Sequence, residues 1–175
     1  MIRRSVLILL LSLVLAVPVN AVPAQFSALV TAVADGVTIT VLTPDKRQVK
    51  IRLYGIDCPE RWQAFGDRAK QATSDAVFGK TVTVQPKDTD RYGRTAAVVL
   101  MPGGKSLNEH LIREGLARVY QDCTQEDICA SLRKLETGAK AQKRGMWEDK
   151  TPAPQPGWTI FPGGGGPSAP GSAPK

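Results

Sequence analysis

The stretch from residue 48 to residue 60 has the sequence QVKIRLYGIDCPE, and it contains the most regular pattern in the chain. Aliphatic residues alternate with polar or amphipathic ones over residues 48–54. This alternation predicts a strand with one apolar face and with Arg52 on the other face. Two carboxylates, Asp57 and Glu60, follow on the loop after the strand. The stretch therefore joins a structural element to three charged side chains that are suited to a functional site.

Strands and helices are predicted on both sides of this stretch. β-prone or alternating segments predict four more strands, at residues 26–33, 38–43, 81–85 and 95–100. The Asp35-Gly36 pair predicts a hairpin turn between the first two strands. Apolar residues at helical spacing predict three helices, over residues 65–77, from Ser106 to Gly115, and from near Thr124. This order of elements favours a small five-stranded Greek-key barrel, and such barrels often bind oligonucleotides or sugars along a surface cleft.

Composition narrows the chemistry. The 175 residues are 42% hydrophobic and 22% charged, which is typical of one globular domain. The formal net charge of +7 favours polyanionic partners such as nucleic acid. The single histidine, His110, excludes mechanisms that need two imidazoles, and it is interpreted as structural. The three cysteines lack C-x-x-C spacing, which argues against a zinc knuckle.

A second charged segment, DTDRYGR at residues 88–94, adds Arg94 to the candidate site. Guanidinium groups match two phosphate oxygens at once, and carboxylates hold hard cations or orient a water. Each residue also has a structural explanation: Asp57 and Glu60 form a capping-box pattern, Arg52 suits a solvated strand face, and Arg94 suits an ordinary turn. The interpretation as a site for phosphodiester chemistry depends on their joint occurrence.

The order of these motifs resembles the staphylococcal nuclease (thermonuclease) family over about residues 26–148. The segments that carry the resemblance are ADGVTITV, IRLYGIDCPE, QAFGDRAK, DRYGR, LNEHLIREGLARVY and KRGMW. The resemblance implies an OB-fold barrel with three helices. It also implies a calcium-dependent endonuclease that acts on DNA and RNA, preferably single-stranded, and leaves 3′-phosphate ends. We expect the protein to be a monomer.

The resemblance also assigns roles by position. Arg52 and Arg94 would bind and neutralise the scissile phosphate. Glu60 would position or deprotonate the attacking water. Arg91 and Tyr92 would contact the nucleotide. These five side chains are the expected catalytic and substrate-binding residues.

The expected calcium ligands are Asp57 and the backbone carbonyl of Cys58, and the sequence departs from the family pattern close to them. After Asp35-Gly36 the family carries a second ligand aspartate, whereas this chain has Val37. Asp35 is a further candidate ligand, although a hairpin turn explains it equally well. Because calcium takes six to eight oxygen ligands, Val37 predicts impaired binding of the ion. The alternative function is a catalytically weak or inactive OB-fold module that binds single-stranded nucleic acid.

The two ends of the chain have distinct compositions. Residues 1–21 combine two early arginines with an apolar run and a small-residue cleavage site, which predicts a signal peptide and an exported protein, periplasmic or secreted. Residues 25–149 form the expected domain. Residues 150–175 are rich in proline and glycine, and we expect a flexible tail. A third, weaker alternative is an envelope-associated interaction protein that uses this tail.

If the protein is exported as predicted, its cysteines can form disulfides, because disulfides persist in oxidising compartments. Cys123 and Cys129 flank the start of the last predicted helix, and we expect them to pair. Cys58 is then left over, and a buried small apolar role is favoured over a reactive thiol.

Overall fold

The structure, a computed structural model, describes residues 24–90 and 92–148. Its elements are β1 (Phe26–Asp35), β2 (Thr38–Leu42), β3 (Gln48–Leu53), β4 (Ile56–Asp57), α1 (Gly66–Val77), β5 (Thr81–Thr89), β6 (Thr95–Leu100), α2 (Leu107–Arg113), β7 (Arg118–Val119), α3 (Glu126–Ala141) and a 3₁₀ turn (Gly145–Trp147). The predicted signal peptide, Arg91 and the predicted tail lie outside the described residues. None of the helices in the described ranges has the length and apolarity to cross a membrane.

Five strands close into a barrel in the order β1-β2-β3-β6-β5, and β4 and β7 form a separate pair. All neighbours in the barrel run antiparallel except β3 and β6, which pair in parallel with Arg52 opposite Ala96. Fully buried aliphatic side chains from the strands and from α2 and α3 form the core, among them Ile39, Ile51, Leu107, Leu111, Ile112 and Leu132. The predicted five-stranded barrel with three helices is therefore confirmed.

The sequence pattern missed parts of the sheet structure. β5 extends to Thr89 rather than ending at residue 85, and its register shifts between Pro86 and Asp88. Proline cannot donate to the ladder, so the pairing continues past it through this irregularity. β4 and β7 contain two residues each. Two residues are too few to show any periodicity.

The first hairpin turn lies one residue later than predicted. Asp35 pairs with Thr38, so Gly36 and Val37 are the turn residues. A Cβ atom at Gly36 would lie 2.8 Å from side chains of α1 and of the loop after β4. The Gly36 carbonyl also accepts a hydrogen bond of 2.7 Å from Oγ1 of Thr73. The glycine therefore lets this hairpin pack against the helix.

The segment after α3 is joined to the end of α2 by backbone contacts. The N–H of Met146 donates to the carbonyl of Gly115 at 2.9 Å. Gly115 has a φ of +67°, and a Cβ there would lie 2.1 Å from the carbonyl oxygen of Arg144. Glycine is required at this position by both its conformation and the close approach of the two backbones.

Asn108 on α2 links the two parallel strands at the point where β3 leaves the barrel. Its Oδ1 accepts from the N–H of Val99 at 3.1 Å, and its Nδ2 donates to the carbonyls of Tyr54 and Ala97 at 2.9 and 3.3 Å. The side chain is 1% exposed. The Ala97 carbonyl also accepts the N–H of Tyr54 at 2.8 Å, so the amide matters most for the N–H of Val99 and the carbonyl of Tyr54.

We predict that Asn108→Ala lowers the free energy of unfolding by about 2 to 4 kcal/mol, because it leaves buried backbone groups without their partner. Urea unfolding at neutral pH measures the change. Gln71→Ala, which removes an exposed amide from α1, is the matched control and should change stability by about 0.5 kcal/mol or less. Equal effects of the two substitutions would contradict the bridging role of Asn108.

Candidate active site

A pocket of about 380 Å³ lies where the first hairpin, β3, β4 and the loop before β6 meet. Its walls carry side chains of both signs. Lys50, Arg52 and Arg94 supply the cations, and Asp35, Asp57 and Glu60 supply the carboxylates. The barrel order places Arg52 on β3 next to β6, which follows Arg94 directly in the chain. Two arginines that are distant in sequence therefore line one pocket.

Arg52 is held by a carboxylate. Its Nη2 donates to Oδ1 of Asp57 at 2.5 Å, and the two side chains are only 7% and 14% exposed. Burial raises the pKa of Asp57, although the charge and hydrogen bond of Arg52 lower it. Arg118 on β7 lies opposite Asp57 in the ladder, and its charge also favours the ionised carboxylate. The pair restricts the orientation of the Arg52 guanidinium.

Glu60 begins a hydrogen-bonded turn. Its N–H donates to Oε1 of Gln63 at 2.6 Å, and the N–H of Gln63 donates to the carbonyl of Glu60 at 2.8 Å. The Glu60 residue is exposed, yet partial burial raises the pKa of its carboxyl, and the charges of Asp35 and Asp57 add to this effect. Arg52 acts in the opposite direction. Glu60 is therefore a stronger base than an ordinary glutamate and is accessible to water.

Arg94 is held by Asp90 through both backbone and side chain. Oδ1 of Asp90 accepts from the N–H groups of Tyr92 and Arg94, each at 2.9 Å, and Oδ2 accepts from Nε of Arg94 at 2.6 Å. The guanidinium also lies 5.5 Å from the centre of the Tyr92 ring. Although burial raises the pKa of Asp90, the hydrogen bonds from Arg94 and Tyr92 lower it below the usual value.

We predict that Asp90→Asn destabilises the protein by about 1 kcal/mol at neutral pH, because the charge-assisted bond to Arg94 is lost. Since the folded state lowers the pKa of Asp90, its contribution is present above the ordinary carboxyl pKa. It disappears as the pH falls through the folded value. Urea unfolding at pH 7 and near pH 2 measures both effects. A wild-type advantage of the same size at both pH values would contradict this role.

The structure brings the predicted residues of the site together, apart from Arg91, which lies outside the described residues. Cys58 and Tyr92 also line the pocket. Two alternative explanations are wrong. Asp57 lies in β4 and α1 begins only at Gly66, so residues 57–60 cap no helix. Arg52 is 6% exposed and is not a solvated strand residue.

Sequence reasoning missed two polar residues of the pocket, Lys50 and Thr38. Lys50 precedes Arg52 by two positions on β3, and alternate residues of a strand share a face. This two-residue spacing could have identified Lys50 from the sequence. Thr38 is paired with Arg52 across the ladder between β2 and β3, which the sequence does not specify.

The pocket does not contain a complete set of calcium ligands. Val37, 5% exposed, places an isopropyl group at the position of the expected carboxylate. Oδ1 of Asp35 accepts the N–H of Val37 at 2.8 Å, and Asp57 is bonded to Arg52. Within residues 24–90 and 92–148, no group of three or more His, Cys, Asp or Glu side chains is placed to hold a metal ion. These residues therefore do not fit the six to eight oxygens that calcium requires.

A second cavity of about 400 Å³ shares Arg52 with the first. It is lined in part by Tyr54 and Tyr120, and by Cys123. Cys123 forms a disulfide with Cys129, as predicted, and Cys58 is a buried free thiol. Burial raises the pKa of the Cys58 thiol well above its usual value, so it remains protonated and unreactive at neutral pH.

Comparison with known proteins agrees with the resemblance to staphylococcal nucleases that the order of the sequence motifs indicates. Residues 50–149 match the sequence profile of the staphylococcal nuclease homologue family. Protein ParB of Escherichia coli is 40% identical over 84% of this chain and 88% of its own length. An uncharacterized endonuclease of Haemophilus influenzae is 33% identical, with coverages of 90% and 86%. A micrococcal nuclease of Shigella flexneri is 37% identical, with coverages of 72% and 76%.

Proposed function

Because the chain belongs to the staphylococcal nuclease family and is therefore an endonuclease, we propose that it cleaves DNA and RNA, preferably single-stranded, in the pocket between Arg52 and Arg94. The observation that carries this proposal is the convergence of these two arginines and Glu60 on one pocket. Two fixed cations beside an accessible carboxylate suit the hydrolysis of a phosphodiester bond.

The reaction follows from the roles that each group supports. Arg52 and Arg94 bind the non-bridging oxygens of the phosphate, and their charges offset the negative charge that develops in the transition state. Glu60 orients a water and accepts its proton as the water oxygen attacks phosphorus. The bond to the 5′ oxygen then breaks, that oxygen takes a proton from solvent water to become a 5′-hydroxyl, and the other product keeps a 3′-phosphate. Partial burial raises the pKa of Glu60, which favours this proton transfer.

The surroundings of the pocket support a nucleotide substrate. The adjoining cavity is lined in part by the aromatic residue Tyr120 and by Arg52. Aromatic rings stack on nucleobases and arginine binds phosphate, so the two cavities together suit a nucleotide and its phosphate. The net charge of +7 favours association with nucleic acid at low salt.

We further propose that the protein is exported and that it binds calcium only weakly. The predicted signal peptide and the Cys123–Cys129 disulfide support an oxidising compartment. Weak calcium binding is supported by the isopropyl group of Val37 and by the incomplete set of oxygen ligands around it. The arginines and Glu60 do not depend on the ion for their placement.

The catalytic assignment predicts large effects of two substitutions. We expect Arg94→Ala to lower kcat by about 10³-fold or more, because it removes an arginine that stabilises the phosphoryl transition state. Arg52→Lys keeps a positive charge beside Asp57 but loses the planar guanidinium that binds two phosphate oxygens. We expect it to lower kcat by at least about tenfold. Initial rates on single-stranded DNA measure both. Arg47→Ala, at an exposed arginine, is the control and should keep full activity.

Thermal unfolding of each variant shows whether the fold survives. Losses below tenfold in both variants, with the fold intact, would remove Arg52 and Arg94 from the catalytic centre. Binding of single-stranded DNA without cleavage by the wild-type protein, at any calcium concentration, would favour the alternative of a binding module.

The substitution Val37→Asp tests the proposal that the protein binds calcium weakly. The added carboxylate should tighten calcium binding by about tenfold or more, because affinity increases with the charge of the ligand set. It should also lower Tm in the absence of calcium, since it places a charge at a buried position beside other carboxylates. Isothermal titration calorimetry and Tm with and without calcium measure both effects.

Val37→Asn is the matched control, because it adds an oxygen of similar placement without a charge. We expect it to tighten calcium binding less than Val37→Asp does. If the wild-type protein already binds calcium as tightly as Val37→Asp, then Asp35 or another residue supplies the missing ligand and the proposed weakness is wrong.

A further inference from the structure

Trp62 is the most exposed of the large hydrophobic residues in the described ranges, with 73% of its surface accessible. An indole in water forgoes the stabilisation that burial of so large a side chain provides. Trp62 follows Glu60 by only two positions, and Glu60 lines the catalytic pocket. The exposed ring therefore belongs to a residue two positions from the wall of the active-site pocket.

The backbone that carries Trp62 is firmly held. Residues 60–63 form a turn that is closed by a hydrogen bond of 2.8 Å from the N–H of Gln63 to the carbonyl of Glu60. The Gln63 side chain accepts from the N–H of Glu60, and Gln63 is 8% exposed. Gly66 packs so closely on this turn that a Cβ there would lie 1.9 Å from the carbonyl oxygen of Glu60. The turn therefore fixes the backbone position of Trp62, two residues from Glu60 in the same turn.

The segment around Trp62 carries exposed charges of both signs. Arg61 and Arg68 are both exposed, and Arg68 lies over the ring of Phe65 at 4.8 Å. The acids of this segment are Glu60 and Asp67, and Asp67 forms an exposed ion pair with Arg61 at 3.6 Å. Exposed pairs of this kind are weak, so Arg61 is available to a phosphate. An exposed aromatic ring next in the chain to an exposed guanidinium group suits single-stranded nucleic acid, by base stacking and phosphate contacts.

We propose that Trp62 is a stacking platform for an unpaired nucleobase of the substrate strand, next to the nucleotide whose phosphate is cleaved. The inference rests on the proposed nucleic-acid substrate and adds the residue that confers selectivity for single strands. A base within a duplex is paired and stacked on its neighbours and does not offer its face to the ring. Stacking on Trp62 therefore favours single strands without selecting a base.

The test is direct binding, measured by fluorescence anisotropy with a fluorescein-labelled oligothymidylate of about ten nucleotides and with a duplex of the same length. Both are measured in chelator, and a denaturing gel run after each titration checks that neither has been cut. Trp62→Ala should raise Kd for the single strand by about tenfold and for the duplex by less than about twofold. Trp62→Phe keeps an aromatic face and should recover most of the affinity. Phe78→Ala removes another exposed ring, 55% accessible, at the far end of α1, and should change neither Kd.

The outcomes separate this inference from the proposed function. If the wild-type protein binds and cleaves single strands and Trp62→Ala binds them equally well, the stacking role is wrong and the proposed function stands. A loss of the same size on the duplex also overturns stacking, because it indicates a general contact. If the wild-type protein neither binds nor cleaves single strands, both proposals fail. Weaker binding by Trp62→Ala in a protein that binds but does not cleave supports stacking and rejects the proposed function.

Discussion

The parallel pairing of β3 with β6 is the constraint on which the rest of the molecule depends. It is the only parallel contact in the barrel, and it closes a sheet whose other neighbours are all antiparallel. The pairing ends where β3 leaves the barrel, and there the buried amide of Asn108 connects the two segments by accepting from the N–H of Val99 and donating to the carbonyl of Tyr54. Helix α2 is thereby attached to the seam that brings Arg52 and Arg94 to the same pocket.

Each arginine of the pocket is oriented by its own carboxylate. Asp57 holds Arg52, and Asp90 holds Arg94 through one side-chain and one backbone hydrogen bond. The guanidinium groups are therefore oriented before any substrate arrives, and binding does not have to restrict their rotamers. The same arrangement occupies Asp57, which is one reason that the pocket suits a phosphate better than it suits a dication.

Long, periodic segments were predictable from the sequence, and short or mutually dependent ones were not. The alternation over β3 and the capping residue Ser106 identified a strand and a helix, and Oγ of Ser106 indeed accepts the N–H of Glu109. β4 and β7 exist because they pair with each other, which no local pattern reveals. The charged residues of the site were found from motif order, whereas Lys50 and the exposed Trp62 follow from the geometry around those motifs.

The contact between Gly115 and the segment at Met146 has a consequence for the order of folding. A chain that emerges with its N-terminus first can close the barrel once β6 is complete. The end of α2 still lacks the backbone partner that arrives some thirty residues later, near Met146. Until then the backbone hydrogen bond between Met146 and Gly115 is absent. The segment near Met146 therefore completes the packing last. While that segment is still inside the ribosomal exit tunnel, this contact cannot form.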